Sequence, residues 1–323
     1  YLTGLGPKMS GELDLINQSA ERLFADHVDA ELHDAVAAGE WPAELWDAIT
    51  AVGFERAEMT VHGVALARMT GRFVAPIPLA ETILTASVLK EAGLEVPSGP
   101  MTTSFGELQR VPWARHASCI ATINDIGVLA VFEGAKLECS PGCNLAGEPR
   151  DTIILGSAKP IARIDGFSAD SFLERGALLR AAQISGALET VLARTVQYAG
   201  ERKQFGRPIA KFQAIQHHLA NLAGYTAMVC AAVDAAAAAP DLFSIASAKS
   251  CASEAAGEAA AIAHQVHGAI GFTQEHDLHR LTKSLWSWRE EFGSESYWNA
   301  RIGAIAASAG GKELWPNLVA RSG

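Results

Sequence analysis

From Leu178 to Thr195 apolar residues recur every three or four positions, as Leu178, Ala181, Ala182, Ile184, Leu188, Val191, Leu192 and Thr195. A stripe with that period requires a long helix with one buried face. The period returns after a break at Phe205-Gly206-Arg207-Pro208, carried by Ile209, Phe212, Ile215, Leu219 and Leu222. A further helix is expected from Leu242, just past Pro240, to about His267. A last one is expected from near Ser294, with Tyr297, Ile302 and Ile305 on its face. Long helices on short loops predict a C-terminal four-helix bundle domain over 167–323.

Upstream the helical stretches are shorter. Leu13, Ile16, Ala20, Leu23 and Phe24 share one helical face. Trp41-Pro42 opens a second stretch that Gly53 closes, Val64 to Val74 forms a third, and Leu79 to Ala92 stops at Gly93. These predict an N-terminal helical domain over 10–97. Between 98 and 166 the segments Ser118 to Ile123, Ile126 to Phe132, Lys136 to Cys139, Thr152 to Leu155 and Ile161 to Ile164 are short and partly β-branched. Glycine and proline punctuate them, which predicts a small β domain. The expected fold class is mostly α with a small central β domain.

Composition narrows the function. With 323 residues, 49% hydrophobic and 19% charged, the chain reads as soluble and globular. A net charge of -10 leaves no basic excess for a nucleic-acid partner. The five cysteines, at 119, 139, 143, 230 and 251, are odd in number and dispersed. They predict reduced thiols in a cytoplasm rather than a disulfide framework. No secretory signal is read, and residues 1–8, which precede Met9, are set aside from the fold reading. No membrane span is expected, since the Ala-rich stretch 231–239 contains Asp234 and stops at Pro240. His264 and His267, like His276 and His279, are three apart and share a helix face. Neither pair has an evident third ligand, so no metal is expected.

Two segments carry chemistry. In Arg202-Lys203-Gln204-Phe205-Gly206-Arg207-Pro208-Ile209, a helix ends, the chain turns and a new helix begins, with Gln213 about a turn further on. An arginine at such a junction presents a planar fork suited to a pyrophosphate, and equally suits a solvated helix end. In Gln265-Val266-His267-Gly268-Ala269-Ile270-Gly271-Phe272, two glycines break a helix and let backbone approach a ligand. Alone this segment also suits a simple C-cap and turn.

Together the two segments resemble the acyl-CoA dehydrogenase family. Arg202, Phe205, Gly206 and Gln213 match its Arg-x-x-Phe-Gly block, and Gln265, Gly268, Gly271, Phe272 and Glu275 match its later Gln-x-x-Gly-Gly-x-Gly block, with Ala269 in place of one glycine. The likeness is strong over 170–310, moderate over 10–97 and weak over 98–166. It implies the order helical domain, β domain, four-helix domain. It also implies that Arg202, Gln204, Phe205, Gln213, Gln265, Val266, Gly268 and Ala269 clasp the adenosine diphosphate end of an FAD held mainly by a neighbouring subunit.

The departures are as informative. The family's Thr-Glu-Pro-x-x-Gly-Ser-Asp flavin cradle is missing, and Thr102-Thr103-Ser104-Phe105-Gly106 is a poor substitute. The implied reaction removes the α-proton of an acyl thioester while a hydride leaves the β-carbon for the flavin, so a carboxylate base is needed. At the usual position for that base stands Phe292, before Gly293-Ser294, with Glu291 and Glu290 just ahead of it. At the alternative position, on the first bundle helix, stands Gly176, with Glu174 two residues away.

Residues His267 to His279 are similar to a subgroup that forms heterotetramers and degrades steroid side chains. The resemblance implies one subunit of an acyl-CoA dehydrogenase, a flavoprotein of lipid metabolism. Its expected partners are a second dehydrogenase-like subunit supplying the flavin cradle and base, an acyl-CoA substrate, and an electron-transfer flavoprotein or similar acceptor. Two other readings stay open: a self-sufficient homo-oligomer using Glu291 as base, and a scaffold without catalysis.

Overall fold

The computed structural model describes residues 7–273 and 277–320. Five helices come first: α1 (Pro7–His27), α2 (Ala30–Ala37), α3 (Ala43–Val52), α4 (Val61–Phe73) and α5 (Leu79–Glu91). Their ends follow local rules. Asp29 and Thr60 accept hydrogen bonds from backbone N–H groups to cap α2 and α4, and Gly53 closes α3 in the left-handed region at φ 79°.

Seven short strands follow: β1 (Met101–Phe105), β2 (Val111–Pro112), β3 (Cys119–Ile123), β4 (Val128–Glu133), β5 (Glu138–Ser140), β6 (Arg150–Ile154) and β7 (Ala162–Asp165). They form a four-stranded sheet in the order β1-β3-β4-β7 and a three-stranded sheet in the order β2-β6-β5. Only the β1–β3 pair is parallel; the register of β3 on β4 places Ile120 opposite Phe132. The strand β1 was not among the expected ones. Thr102, Thr103 and Ser104 read as polar, yet all three are buried against α5 and β3.

The remainder is helical: α6 (Ala169–Glu201), a hairpin of β8 (Lys203–Gln204) and β9 (Arg207–Pro208), then α7 (Gln213–Ala238), α8 (Leu242–His267), α9 (Leu278–Trp288), α10 (Glu295–Ala309) and α11 (Gly311–Ala320). The helix α6 is central, packing on α4, α7 and α8. Its close approach to α4 depends on two glycines. A Cβ on Gly186 would overlap the Arg68 carbonyl, and one on Gly71 would overlap the Gln183 backbone. One core unites the helices with the four-stranded sheet, and a smaller cluster of Val111, Ala114, Ala117, Ile120 and Ile153 lies under the other sheet.

Two expectations change. The helix α9 lies between the anticipated bundle helices, its Leu278, Leu281, Leu285 and Trp288 all buried. Also, α7 is long and apolar enough to cross a membrane, because the helix starts at Gln213 rather than within the alanine run. Its buried residues Leu222, Val229, Val233 and Ala236 serve the bundle, where it packs on α6 and α8.

Candidate functional site

The chain leaves α6 at Arg202, whose carbonyl accepts the Ile209 N–H at 2.8 Å. That bond closes the β8–β9 hairpin, in which Lys203 faces Pro208 and Gln204 faces Arg207. Only Phe205 and Gly206 remain for the turn, and both have positive φ, 51° and 78°. This is the mirror-image turn that two-residue hairpins favour, with phenylalanine where asparagine is usual. A phenylalanine held in the left-handed region is strained. Its ring is 91% exposed and meets Phe212 edge-on at 6.1 Å, while the Arg207 guanidinium lies 4.4 Å over Phe212.

Gln213 is the first residue of α7, and Phe212 before it makes no side-chain cap. The first N–H groups of α7 therefore keep their partial positive charge beside the hairpin. At the end of α8, Gln265, Gly268 and Ala269 are exposed. Gly268 has φ 65°, and the space a Cβ would occupy there is open. Val266, between Gln265 and Gly268 in the sequence, is buried in the core. Phe272 is the last residue of the short turn that follows α8, while the motif residue Glu275, like His276, lies outside the described residues.

The ends of α6 and α8 lie together, since the Tyr198 ring stacks on His267 at 4.4 Å. Arg202, Gln204, Phe205 and Gln213 thus share one pole of the bundle with Gln265, Gly268 and Ala269. Among the described residues, no ion pair engages Arg202. Exposed donors, an uncapped helix N-terminus and an open glycine suit a dinucleotide pyrophosphate.

The residues at the two candidate base positions meet each other. The Phe292 ring lies where a Cβ on Gly176 would be. It also packs edge-on against Phe172 at 6.0 Å, and Phe172 stacks on Phe105 at 5.9 Å. Phe292 itself has φ 54°. Lys249, fully buried on α8, holds its turn by donating to the carbonyls of Arg289 at 2.7 Å and Gly293 at 2.9 Å.

Glu291 is tied down. Arg150 donates to it through Nε at 2.8 Å and Nη2 at 3.2 Å, and Arg180 through Nε at 2.7 Å. Both arginines are 2% exposed at the side chain. Arg180 also reaches Glu81 at 2.6 Å, and Arg150 reaches Glu148 at 3.0 Å. Burial alone would raise the Glu291 pKa; the charges and hydrogen bonds of the two arginines outweigh it and hold the carboxyl at about 2. A carboxylate so engaged is an internal counter-ion, poorly matched to take a proton near neutral pH. Glu290 is exposed and paired with Arg289 at 3.2 Å. Glu174, its pKa raised by burial ahead of the opposing pull of Arg301, lies two residues from Gly176 and so on another face of α6.

Comparison with known proteins settles the lineage. Residues 165–304 match the family model "Acyl-CoA dehydrogenase, C-terminal domain". "Acyl-CoA dehydrogenase IpdE2" from Mycobacterium tuberculosis is 46% identical over 229 residues, covering 61% of this chain and 70% of that protein. The chain belongs to the acyl-CoA dehydrogenase family. The IpdE2 protein of Mycolicibacterium smegmatis is 28% identical over 288 residues, 84% of this chain and 91% of that one. Among solved structures, "Tcur3481-Tcur3483 steroid ACAD G363A variant" has a TM-score of 0.82 at 21% identity, covering 93% of this chain and 99% of its own. The "ChsE4-ChsE5 complex from Mycobacterium tuberculosis" has a TM-score of 0.76 at 19% identity, covering 91% and 97%. "PigA with FAD and proline" has a TM-score of 0.78 at 16% identity, covering 95% and 100%. At those identities the structures speak for the acyl-CoA dehydrogenase fold, with its helical, sheet and helical runs.

Sequence reasoning missed Arg150, Arg180, Glu81, Lys249 and Tyr198. Two carried a signal: Arg180 interrupts the apolar stripe of α6, and Lys249 interrupts the alanine-rich face of α8. A charged residue at an apolar helix position calls for a buried partner.

Proposed function

We propose that this chain is the clasp subunit of a heteromeric acyl-CoA dehydrogenase. It contributes Arg202, Gln204, Phe205, Gln213, Gln265, Gly268 and Ala269 to the adenosine diphosphate end of an FAD seated mainly in a second, dehydrogenase-like subunit. That subunit supplies the flavin cradle and the base. One contrast carries the reading: the clasp side chains are exposed and gathered at one pole, whereas in the same chain Gly176 and Phe292 pack together at the base positions and Glu291 is locked by two arginines.

The residues therefore fit the phosphate end of the cofactor and do not fit its ring end. When bound, FAD supplies the acceptor for the β-hydride of the thioester. The chain's own part is to hold phosphate charge with Arg202 and the N-terminus of α7, to hydrogen-bond with Gln213 and Gln265, and to let backbone approach at Gly268.

A protein partner also suits the surface. Along α7 the exposed residues include Ala220, Ala223, Gly224, Ala227, Met228, Ala231 and Ala235, and none of the helix's exposed residues is charged. Beyond Gln213, Gln216 and His217, this run of small residues admits a closely packed subunit, with half-buried Asp234 held by Arg68. One structural neighbour is named a "steroid ACAD", which points to a steroid-derived acyl-CoA as substrate. An electron-transfer flavoprotein or similar acceptor completes the turnover. The five cysteines are free thiols, which suits the cytoplasm as the working compartment.

The test is Arg202→Ala in the complex captured through a tag on this chain. Loss of a charge-assisted contact to phosphate costs about 2 kcal/mol, or about thirtyfold in FAD affinity. Unchanged FAD content and turnover in that variant would refute the clasp.

A further inference from the structure

We propose that Tyr198 and His267 form the positioning pair of the clasp, fixing the distance between its Arg202 half and its Gln265–Ala269 half. The inference rests on the clasp reading above and adds what sets its geometry. Tyr198 is one helical turn before Arg202, and its carbonyl accepts the Arg202 N–H at 2.8 Å. Where Tyr198 goes, Arg202 follows. His267 stands two residues after Gln265 and directly before Gly268.

The two side chains join these positions. Their rings are stacked with centroids 4.4 Å apart and planes at 22°. The Tyr198 hydroxyl donates to the His267 carbonyl at 3.2 Å. That carbonyl is among the last of α8, which the helix leaves without an i+4 donor of its own. The imidazole is fixed in turn, since its Nδ1 donates to the Ala263 carbonyl at 2.8 Å.

A second histidine braces the same end of α8 from the other side. His264 is hydrogen-bonded through Nε2 to Thr282 Oγ1 at 3.0 Å and stacks on Trp286 at 5.9 Å, tying α8 to α9. Gly271 lies over both histidines: a Cβ there would stand 3.0 Å from His267 Cβ and 3.3 Å from His264 Nδ1. The loop after α8 is thus seated on the two histidines. His264 and His267, which share one face of α8, are the mounts of a binding loop.

A ligand that spans Arg202 and Gln265 meets a spacing that the stacked pair fixes at the ends of α6 and α8. The test uses the complex captured through this chain, stripped of flavin and titrated with FAD, with ADP as competitor, for wild type, Tyr198→Phe, Tyr198→Ala and Arg202→Ala. Tyr198→Phe keeps the stack and loses the hydrogen bond to the His267 carbonyl, so FAD affinity should fall about fivefold. Tyr198→Ala loses both, and the fall should reach about thirtyfold or more. ADP should weaken by the same factors, because the defect sits at that end of the cofactor. The melting temperature of flavin-free Tyr198→Phe should stay within about 2 °C of wild type.

Wild-type affinity for FAD and ADP in both tyrosine variants, with Arg202→Ala weakened, overturns the positioning pair and leaves the clasp standing. Wild-type affinity in Arg202→Ala removes the clasp itself. A collapse of melting temperature in Tyr198→Phe assigns the pair to folding and overturns the inference.

Discussion

Replacing Glu291 with glutamine separates an anchor from a base. Its carboxylate takes three hydrogen bonds, at 2.8, 3.2 and 2.7 Å, from Arg150 and Arg180. The pKa stands at about 2 against an ordinary 4.5. At about 1.4 kcal/mol per pH unit, that difference is worth about 3 kcal/mol of stability at neutral pH. Because the folded-state pKa is depressed, the stabilisation is complete above the unfolded value and is lost as the pH falls from there through the folded value. Glu291→Gln also leaves two buried guanidinium groups with only Glu81 and Glu148 as counter-charges. Breaking one side of a buried ion pair costs about 3–5 kcal/mol. For a chain of this length, 3 kcal/mol corresponds to about 4–5 °C in melting temperature. Circular-dichroism melts at pH 7 should show that drop, and melts at pH 3 a smaller one. Turnover of the reconstituted complex should stay within about threefold of wild type once both are folded. An unchanged melt with turnover down about a thousandfold or more would make Glu291 the base and refute the anchor.

Phe292→Ala should cost about 2–3 kcal/mol by emptying the space beside Gly176, less than the roughly 3–5 kcal/mol usual for a fully buried ring because this one is half-buried; urea unfolding of the lone chain measures it. Lys249→Met should flatten a pH dependence. Burial brings the Lys249 pKa from 10.5 down to about 7 against the opposing pull of Glu291 and Glu290. Between those values the unfolded chain binds more protons, so wild-type stability rises with pH. From pH 7 to pH 9 wild type should gain about 2 kcal/mol relative to Lys249→Met, and parallel profiles for the two proteins would show that the amine is charged throughout. Arg202→Ala should release FAD from the complex with no change in the melting temperature of the flavin-free chain, since its exposed guanidinium is engaged by no ion pair among the described residues.

The legible parts of this molecule are those with one dominant local signal. The period of Leu178 to Thr195 required a long helix, and α6 buries nearly all of those residues. Pro240 and Ser294 marked the starts of α8 and α10, where Asp241 and Ser294 act as caps. Where tertiary contacts overrode local chemistry, the reading fell short. Buried Thr102 and Thr103 hid a strand, and α9, only 11 residues long, was too short for its period to stand out.

The site divides along the same line. The motif spacing singled out Arg202, Gln213 and Gln265 as clasp candidates, and the local geometry read with it, a turn between two helices, is what the fold has there. Counting from those motifs also picked out Gly176 and Phe292, separately and without any sign that they touch. Their contact joins residues more than a hundred positions apart, as does the pairing of Arg150 and Arg180 with Glu291. Val266 shows the same limit: the motif places it next to Gln265, and only the fold reveals that it is buried.

The flavin content of the chain, purified alone and then captured with its partner through a tag, tests the split site most directly. A clasp subunit should emerge colourless alone and bring down FAD, bound at the interface, only with the second subunit. Stoichiometric FAD on the lone chain would contradict the split site and mean that the chain builds a complete one.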